Sequence, residues 1–223
     1  MSLRGRMAWH QPTRGLEKVG SIPAVSTKFE ECLSADITLV VTSCGRNDLL
    51  ARTLQSFYSF NSYSMKEVFI VEDWNKEGQV QGIDKAYARV KTPYIFHCED
   101  DWEFYQPGFI EKSLEILEKY PNILQVWLRE HNDTNGHPIV RLPQFDVDTL
   151  DANWNWGGFS WNPGLRRLSD YQLLGKPYTE FRGTSNISEH TLSRHYASLG
   201  YHAAITSMGY VRHIGWDRAL PKV

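Results

Sequence analysis

The sequence predicts an α/β fold built on a parallel sheet, and three observations predict it. Short apolar runs rich in β-branched and aromatic residues stand at 37–43 (ITLVVTS), 67–73 (EVFIVED) and 93–98 (PYIFHC). Segments of helical period separate them, at 44–61 and 79–90. A strand-helix-strand-helix-strand series returns each strand to one sheet by a right-handed crossover, so the strands run parallel.

Each element has its local reason. Residues 1–36 mix Arg, Gly, Pro and Ser with few apolar repeats and read as an amino-terminal arm. A single domain is expected over 37–223. Its first run, 37–43, carries no charge and suits a central strand covered on both faces. Leu50, Leu54 and Phe57 then recur at helical spacing, with Asn47 or Asp48 placed to start the helix. Farther on, Ile110, Leu114 and Leu117 share one helical face that Pro121 ends, and ILQVWL (123–128) reads as another strand. The remainder is less regular. HNDTNGHPIVRLPQF (131–145) suggests a turn and a short strand, and NWNWGGFSWNP (153–163) a Gly-broken strand or loop. SEHTLSRHYASLG (188–200) is helical: Ser188 caps it, Glu189 suits the first-turn dipole, and Gly200 stops it. Two short strands, at 203–206 and 209–214, close the domain.

Composition narrows the function classes. The chain has 223 residues, 41% hydrophobic and 22% charged, enough for one substantial core. A net charge of −2 argues against nucleic acid as a partner. The odd set Cys32, Cys44 and Cys98 lacks paired spacing and fits a reducing compartment, so a cytoplasmic location is expected. No stretch approaches the ~20 apolar residues of a membrane span, and the first thirty residues lack the apolar core of a secretory signal.

In an open parallel sheet, ligands gather beyond the carboxyl ends of the strands. Four polar features fall there: 43–46, Glu72 with Asp73, the run Glu99-Asp100-Asp101, and the turn at Asn132-Asp133. Three adjacent carboxylates disfavour one another's ionisation unless a cation sits among them. A solvated turn or a helix cap is the plain reading of that run. A divalent ion explains it better, because carboxylates supply the oxygen ligands that Mg2+ and Mn2+ prefer, and such ions bridge substrate phosphates. Metal with phosphate suggests a nucleotide. His97 and Cys98 lack a second pair at ligand spacing and are discounted as metal ligands.

ITLVVTSCGRNDLLARTLQSF, EVFIVED and YIFHCEDDWEF together resemble the nucleotide-sugar half of GT-A glycosyltransferases, closest to inverting family 2. The Glu-Asp-Asp form is also similar to the acidic motif of animal N-acetylglucosaminyltransferases. The likeness covers about residues 37–215. It implies a Rossmann-like, doubly wound, mainly parallel sheet with helices on both faces. A nucleotide-sugar half would span 37–130 and an acceptor half 131–223. By the same resemblance Asp101 binds Mn2+ or Mg2+, while Asp100 or Glu99 contacts the sugar or ribose. Ser43 and Arg46 line the nucleotide, Glu72 or Asp73 meets the base, and Lys85 lies against the nucleotide.

The resemblance extends to the second half. Inversion needs a carboxylate to take the acceptor hydroxyl's proton, and Glu189 at a helix start matches the family's base, with His190 as second candidate. The helix N-terminus is expected to keep Glu189 ionised. His213 matches a late histidine recruited to the metal, and an ordinary structural histidine is the equal alternative. Among Trp154, Trp156 and Trp161, Trp156 is the candidate platform for an acceptor sugar.

The implied reaction moves one sugar from a nucleoside diphosphate sugar, UDP-sugar favoured, to a carbohydrate or glycolipid acceptor, at the inner face of the membrane if the acceptor is a lipid. Processive relatives carry a Gln-x-x-Arg-Trp motif, which is missing here. A sugar-phosphate nucleotidyltransferase is the enzymatic alternative, although TSCGRND has one Gly where that class has a Gly-rich loop. A non-catalytic binder of sugar or nucleotide is the alternative of another class.

Overall fold

A computed structural model describes residues 17–18, 36–73, 78–154, 156–181 and 188–218. Cys32 and most of the leading arm lie outside the described residues. A two-residue piece, β1 (Glu17–Lys18), precedes β2 (Ile37–Ser43), which is buried along its whole length. Gly45, at φ 66°, turns the chain into α1 (Asn47–Phe60), a bend that a side chain would strain. β3 (Glu67–Glu72), α2 (Gln79–Tyr87) and β4 (Tyr94–Glu99) complete the alternating series. Then come β5 (Trp102–Phe104), α3 (Phe109–Lys119), β6 (Ile123–Trp127), β7 (Ile139–Val140), β8 (Asp148–Leu150) and β9 (Gly164–Arg167). α4 (Leu168–Gln172), α5 (Ser188–Ser198), β10 (His202–Ile205) and β11 (Val211–His213) follow, with single 3-10 turns at Tyr178–Glu180 and Trp216–Arg218.

The main sheet has the order β1-β3-β2-β4-β9. β3 and β4 flank β2 in parallel, and their register sets Ser43 opposite Glu72 and Thr42 opposite Glu99. Those three carboxyl ends therefore share one edge. The parallel character is confined to this centre, because β1 and β9 pair antiparallel at the margins. β6 belongs to a separate four-stranded sheet, β6-β10-β8-β7, in which only β6 and β10 run parallel. β5 and β11 form an antiparallel pair that sets Trp102 opposite His213.

Side chains of a strand alternate between faces, and here each face meets helices. Ile37, Leu39 and Val41 pack with Phe57 of α1 and with Phe109, Leu114 and Leu117 of α3. Val40 points to the other side, into a cluster with Ile83 and Tyr87 of α2 and Leu192 and Tyr196 of α5. The expected two-sided covering is thus present. Phe57 meets Phe96, Phe104 and Phe109 at ring separations of 5.3, 5.2 and 5.6 Å. Burying an aromatic of this size contributes about 2–3 kcal/mol. His97 belongs to the core: the Tyr87 hydroxyl lies 3.1 Å from its Nδ1, and burial pushes its pKa well down.

Candidate active site

A cleft of about 230 Å3 opens at the shared edge, lined by Thr42, Ser43, Cys44, Arg46, Val71, Asp73, Gln79 and Glu99. The loop after β2 forms one wall and the start of α2 another. Glu72 accepts the Gly45 amide at 3.2 Å and Asp73 accepts the Gly78 amide at 3.0 Å, so both acids tie loops to the sheet edge. Glu99 accepts from Gln79 Nε2 at 2.8 Å and from Trp102 Nε1 at 3.2 Å. Burial still raises the Glu99 pKa, with the Asp101 charge adding to it. Gln79 carries little sequence signal. Its only advance signal is a polar residue in the first turn of a helix that starts at the strand ends.

The three consecutive acids do not converge on one point. Glu99 turns into the cleft wall, while Asp100 and Asp101 turn to Arg46. The Arg46 Nε donates to Asp100 Oδ2 at 3.2 Å, a second guanidinium nitrogen meets Asp100 Oδ1, and Nη1 donates to Asp101 Oδ2 at 2.8 Å. His213 Nε2 reaches the same Asp101 oxygen at 3.2 Å. Asp101 Oδ1 is buried and has no hydrogen-bond partner among the described residues. Burial acts to raise the Asp101 pKa, but the His213 hydrogen bond and the Arg46 charge outweigh it and hold the group below its ordinary value. For Asp100 burial wins over Arg46, and its pKa is raised.

His213 is held edge-on between Trp102 and Trp216, at ring separations of 5.1 and 4.5 Å. Among the described residues no group of three His, Cys, Asp or Glu side chains is arranged to hold a metal by itself. Asp101 and His213 nonetheless offer a fitting pair of donors, a carboxylate with a free buried oxygen and a neighbouring imidazole. A metal here would need its remaining ligands from substrate or water.

Glu189, in the first turn of α5, accepts the Trp161 amide at 2.7 Å. Burial pushes its pKa up to about 7, and repulsion from Glu99 adds to the rise. The expectation of a plainly ionised carboxylate is corrected: burial brings the group to titrate near neutral pH. Glu189 is not among the residues that line the cleft. His190 is exposed. Lys85 is exposed on α2 and is not part of the cleft lining. Trp156 is half-buried, with its Nε1 donating to the Phe159 carbonyl at 2.7 Å and its ring 5.7 Å from that of Trp127. Asn132 lies apart from the cleft, in an open groove with Tyr105, Glu130, His131 and Met208. Asp133 is bound by Arg129, whose Nε donates at 3.0 Å.

Solved structures share this architecture. The mannosyltransferase PcManGT from Pyrobaculum calidifontis, in complex with GDP-Man and Mn2+, is matched with a TM-score of 0.50 at 12% identity, over 77% of this chain and 56% of that one. S. aureus TarS 1-349 in complex with UDP-GlcNAc is matched with a TM-score of 0.53 at 10% identity, over 83% and 61%. The fold is that of a GT-A glycosyltransferase. The chain spans less than two thirds of the length of these matched structures. No protein-family model and no curated protein matches the sequence. Among the described residues no helix is long and apolar enough to cross a membrane.

Proposed function

We propose that this chain is a metal-dependent glycosyltransferase that moves one sugar from a nucleoside diphosphate sugar to a hydroxyl acceptor with inversion. The observation that carries the reading is the pairing of Asp101 with His213 beside a cleft built from the carboxyl ends of β2, β3 and β4. GDP-Man with Mn2+ in PcManGT and UDP-GlcNAc in TarS support a nucleotide-sugar donor on this fold.

Asp101 Oδ1 and the His213 imidazole would hold Mn2+ or Mg2+. When bound, the ion would neutralise charge on the departing nucleoside diphosphate. Ser43 and Asp73 in the cleft wall are the candidates to bind the nucleoside, and Glu99, fixed by Gln79 and Trp102, to orient the ribose or the sugar. Glu189 takes the proton from the attacking acceptor hydroxyl. Its pKa of about 7 suits that role near neutral pH, because a base of matched basicity is both available and effective there. The Trp161 amide keeps the carboxylate in place. Trp156 belongs to the acceptor side of the domain.

Calorimetric titration with UDP and with GDP, each with Mn2+ and then with EDTA, tests the reading. Binding of one nucleotide that EDTA abolishes is the expected result and names the base. A folded protein that binds neither nucleotide overturns it.

A further inference from the structure

The acidic run already holds a cation. Arg46 reaches Asp100 through both carboxylate oxygens and Asp101 through Oδ2, all from one guanidinium. Gly45 makes this reach available by turning the chain sharply between β2 and α1. Among the described residues Asp101 Oδ2 therefore has two partners, Arg46 and His213, while Oδ1 has none although the residue is only 6% exposed. A divalent ion drawing on Asp101 would sit next to a fixed positive charge. Like charges at such separation, in a buried setting, oppose each other strongly.

Arg46 also lines the cleft and, among the described residues that do, is the cationic side chain. Its charge thus has two alternative destinations. One is the carboxylate pair, and the other is whatever anion enters the cleft. A guanidinium pairs equally well with carboxylate or phosphate oxygens, so the exchange keeps its hydrogen bonds satisfied.

We propose that Arg46 is a resident counter-ion that competes with the divalent metal for Asp101 and transfers to the donor's diphosphate when the metal binds. This rests on the reading of the site as a metal and nucleotide-sugar centre. Metal alone then binds weakly, because it must displace an ion pair. Nucleotide alone binds weakly, because Arg46 is engaged. Each ligand removes the other's obstacle, so the two bind cooperatively, and the coupling is reciprocal.

The test is calorimetry with Mn2+ alone, UDP or GDP alone, and Mn2+ with each nucleotide, on the wild type, Arg46→Gln and Arg46→Lys. Arg46→Gln is expected to bind Mn2+ alone about tenfold more tightly and to lose most of the coupling, which for allosteric pairs runs about 5–150-fold. Arg46→Lys keeps the charge without the fork and is expected to fall between, which keeps the test decisive if the Gln variant fails to fold. Unchanged or weaker Mn2+ binding in the folded variants, with wild-type coupling retained, overturns the inference alone. A wild type that binds neither nucleotide, with or without Mn2+, overturns the underlying reading and the inference together.

Discussion

His213 Nε2 lies 3.2 Å from Asp101 Oδ2, joining a residue near the end of the chain to the acidic run at its middle. The β5–β11 ladder sets this meeting, because it pairs His213 with Trp102, the residue after Asp101. The Asp101 carbonyl accepts the Ile214 amide at 2.8 Å, a further tie between the two segments. His213→Ala is therefore expected to leave the fold intact and to weaken Mn2+ binding by at least about 10–100-fold, the loss that follows removal of even an outer-shell partner of a metal ligand. Titration of Mn2+ into the variant checks this. Metal affinity equal to wild type would make His213 a packing residue between two indoles.

Glu189 gives a prediction in pH. Its carboxyl titrates at about 7 in the folded chain, so turnover should rise with pH through that value as the base form accumulates. Glu99 and Arg166 are the charged groups that act on it, the first raising and the second lowering its pKa. Glu189→Gln should lower kcat by about 10²–10⁴ while nucleotide affinity holds. The sign for stability is opposite to that of an ion-paired acid. A folded pKa above the unfolded value of about 4.3 means that the folded state binds the extra proton, so stability declines between about pH 4 and pH 7 and levels off above. Glu189→Gln removes that decline, worth at most about 4 kcal/mol at pH 8. Chemical denaturation at pH 5 and pH 8 measures it, and a gap between wild type and variant that does not grow with pH would contradict the burial argument.

Asp84 of α2 accepts three hydrogen bonds from across the domain: the Tyr178 amide at 2.9 Å, the Thr179 amide at 2.9 Å and the Tyr171 hydroxyl at 3.0 Å. This clamp fixes the 3-10 turn at Tyr178–Glu180 against the helix. Asp84→Ala orphans three donors, and loss of a hydrogen-bonded charge costs about 1.5–3 kcal/mol. For a chain of this length Tm should fall by about 4–10 °C. A melt within about 1 °C of wild type would show that water replaces the carboxylate.

The central strands were legible because burial on both faces leaves no room for polar residues, and a run such as ITLVVTS declares this directly. The same physics hid β9. Its sequence GLRR carries two arginines, yet Arg166 is buried, with its guanidinium carbon 4.9 Å from the Phe159 ring centre and 5.4 Å from that of Trp161. An apolar count cannot register a charge buried against aromatic faces. Nor could it assign β6 to a second sheet, since a fully buried strand reads alike in either. At the site, the strand-end rule brought Ser43, Glu72 and Glu99 together from sequence alone. The Arg46 pairing was not legible. It depends on the φ of Gly45 and on side-chain direction, neither of which a spacing pattern encodes.

Gly215 supplies the most selective test of the acidic site. A Cβ at this position would lie 2.5 Å from Asp101 Oδ2 and 2.7 Å from Asp101 Cβ, far inside contact distance. Asp101 cannot yield freely, because Arg46 and His213 hold its carboxylate and Ile214 its carbonyl. Gly215→Ala should therefore displace the carboxylate and lower Mn2+ affinity tenfold or more, with overpacking costing about 1–3 kcal/mol of stability. Gly175 makes the comparison sharp. It has φ +65° and, among the described residues, nothing within 4 Å of its would-be Cβ, so Gly175→Ala strains the backbone without touching the site. That variant should lose about 1 kcal/mol of stability and keep wild-type Mn2+ affinity. Parallel melts and Mn2+ titrations of the two alanine variants separate local displacement of Asp101 from general destabilisation. Equal metal affinity in both would show that the Asp101 carboxylate is not a metal ligand.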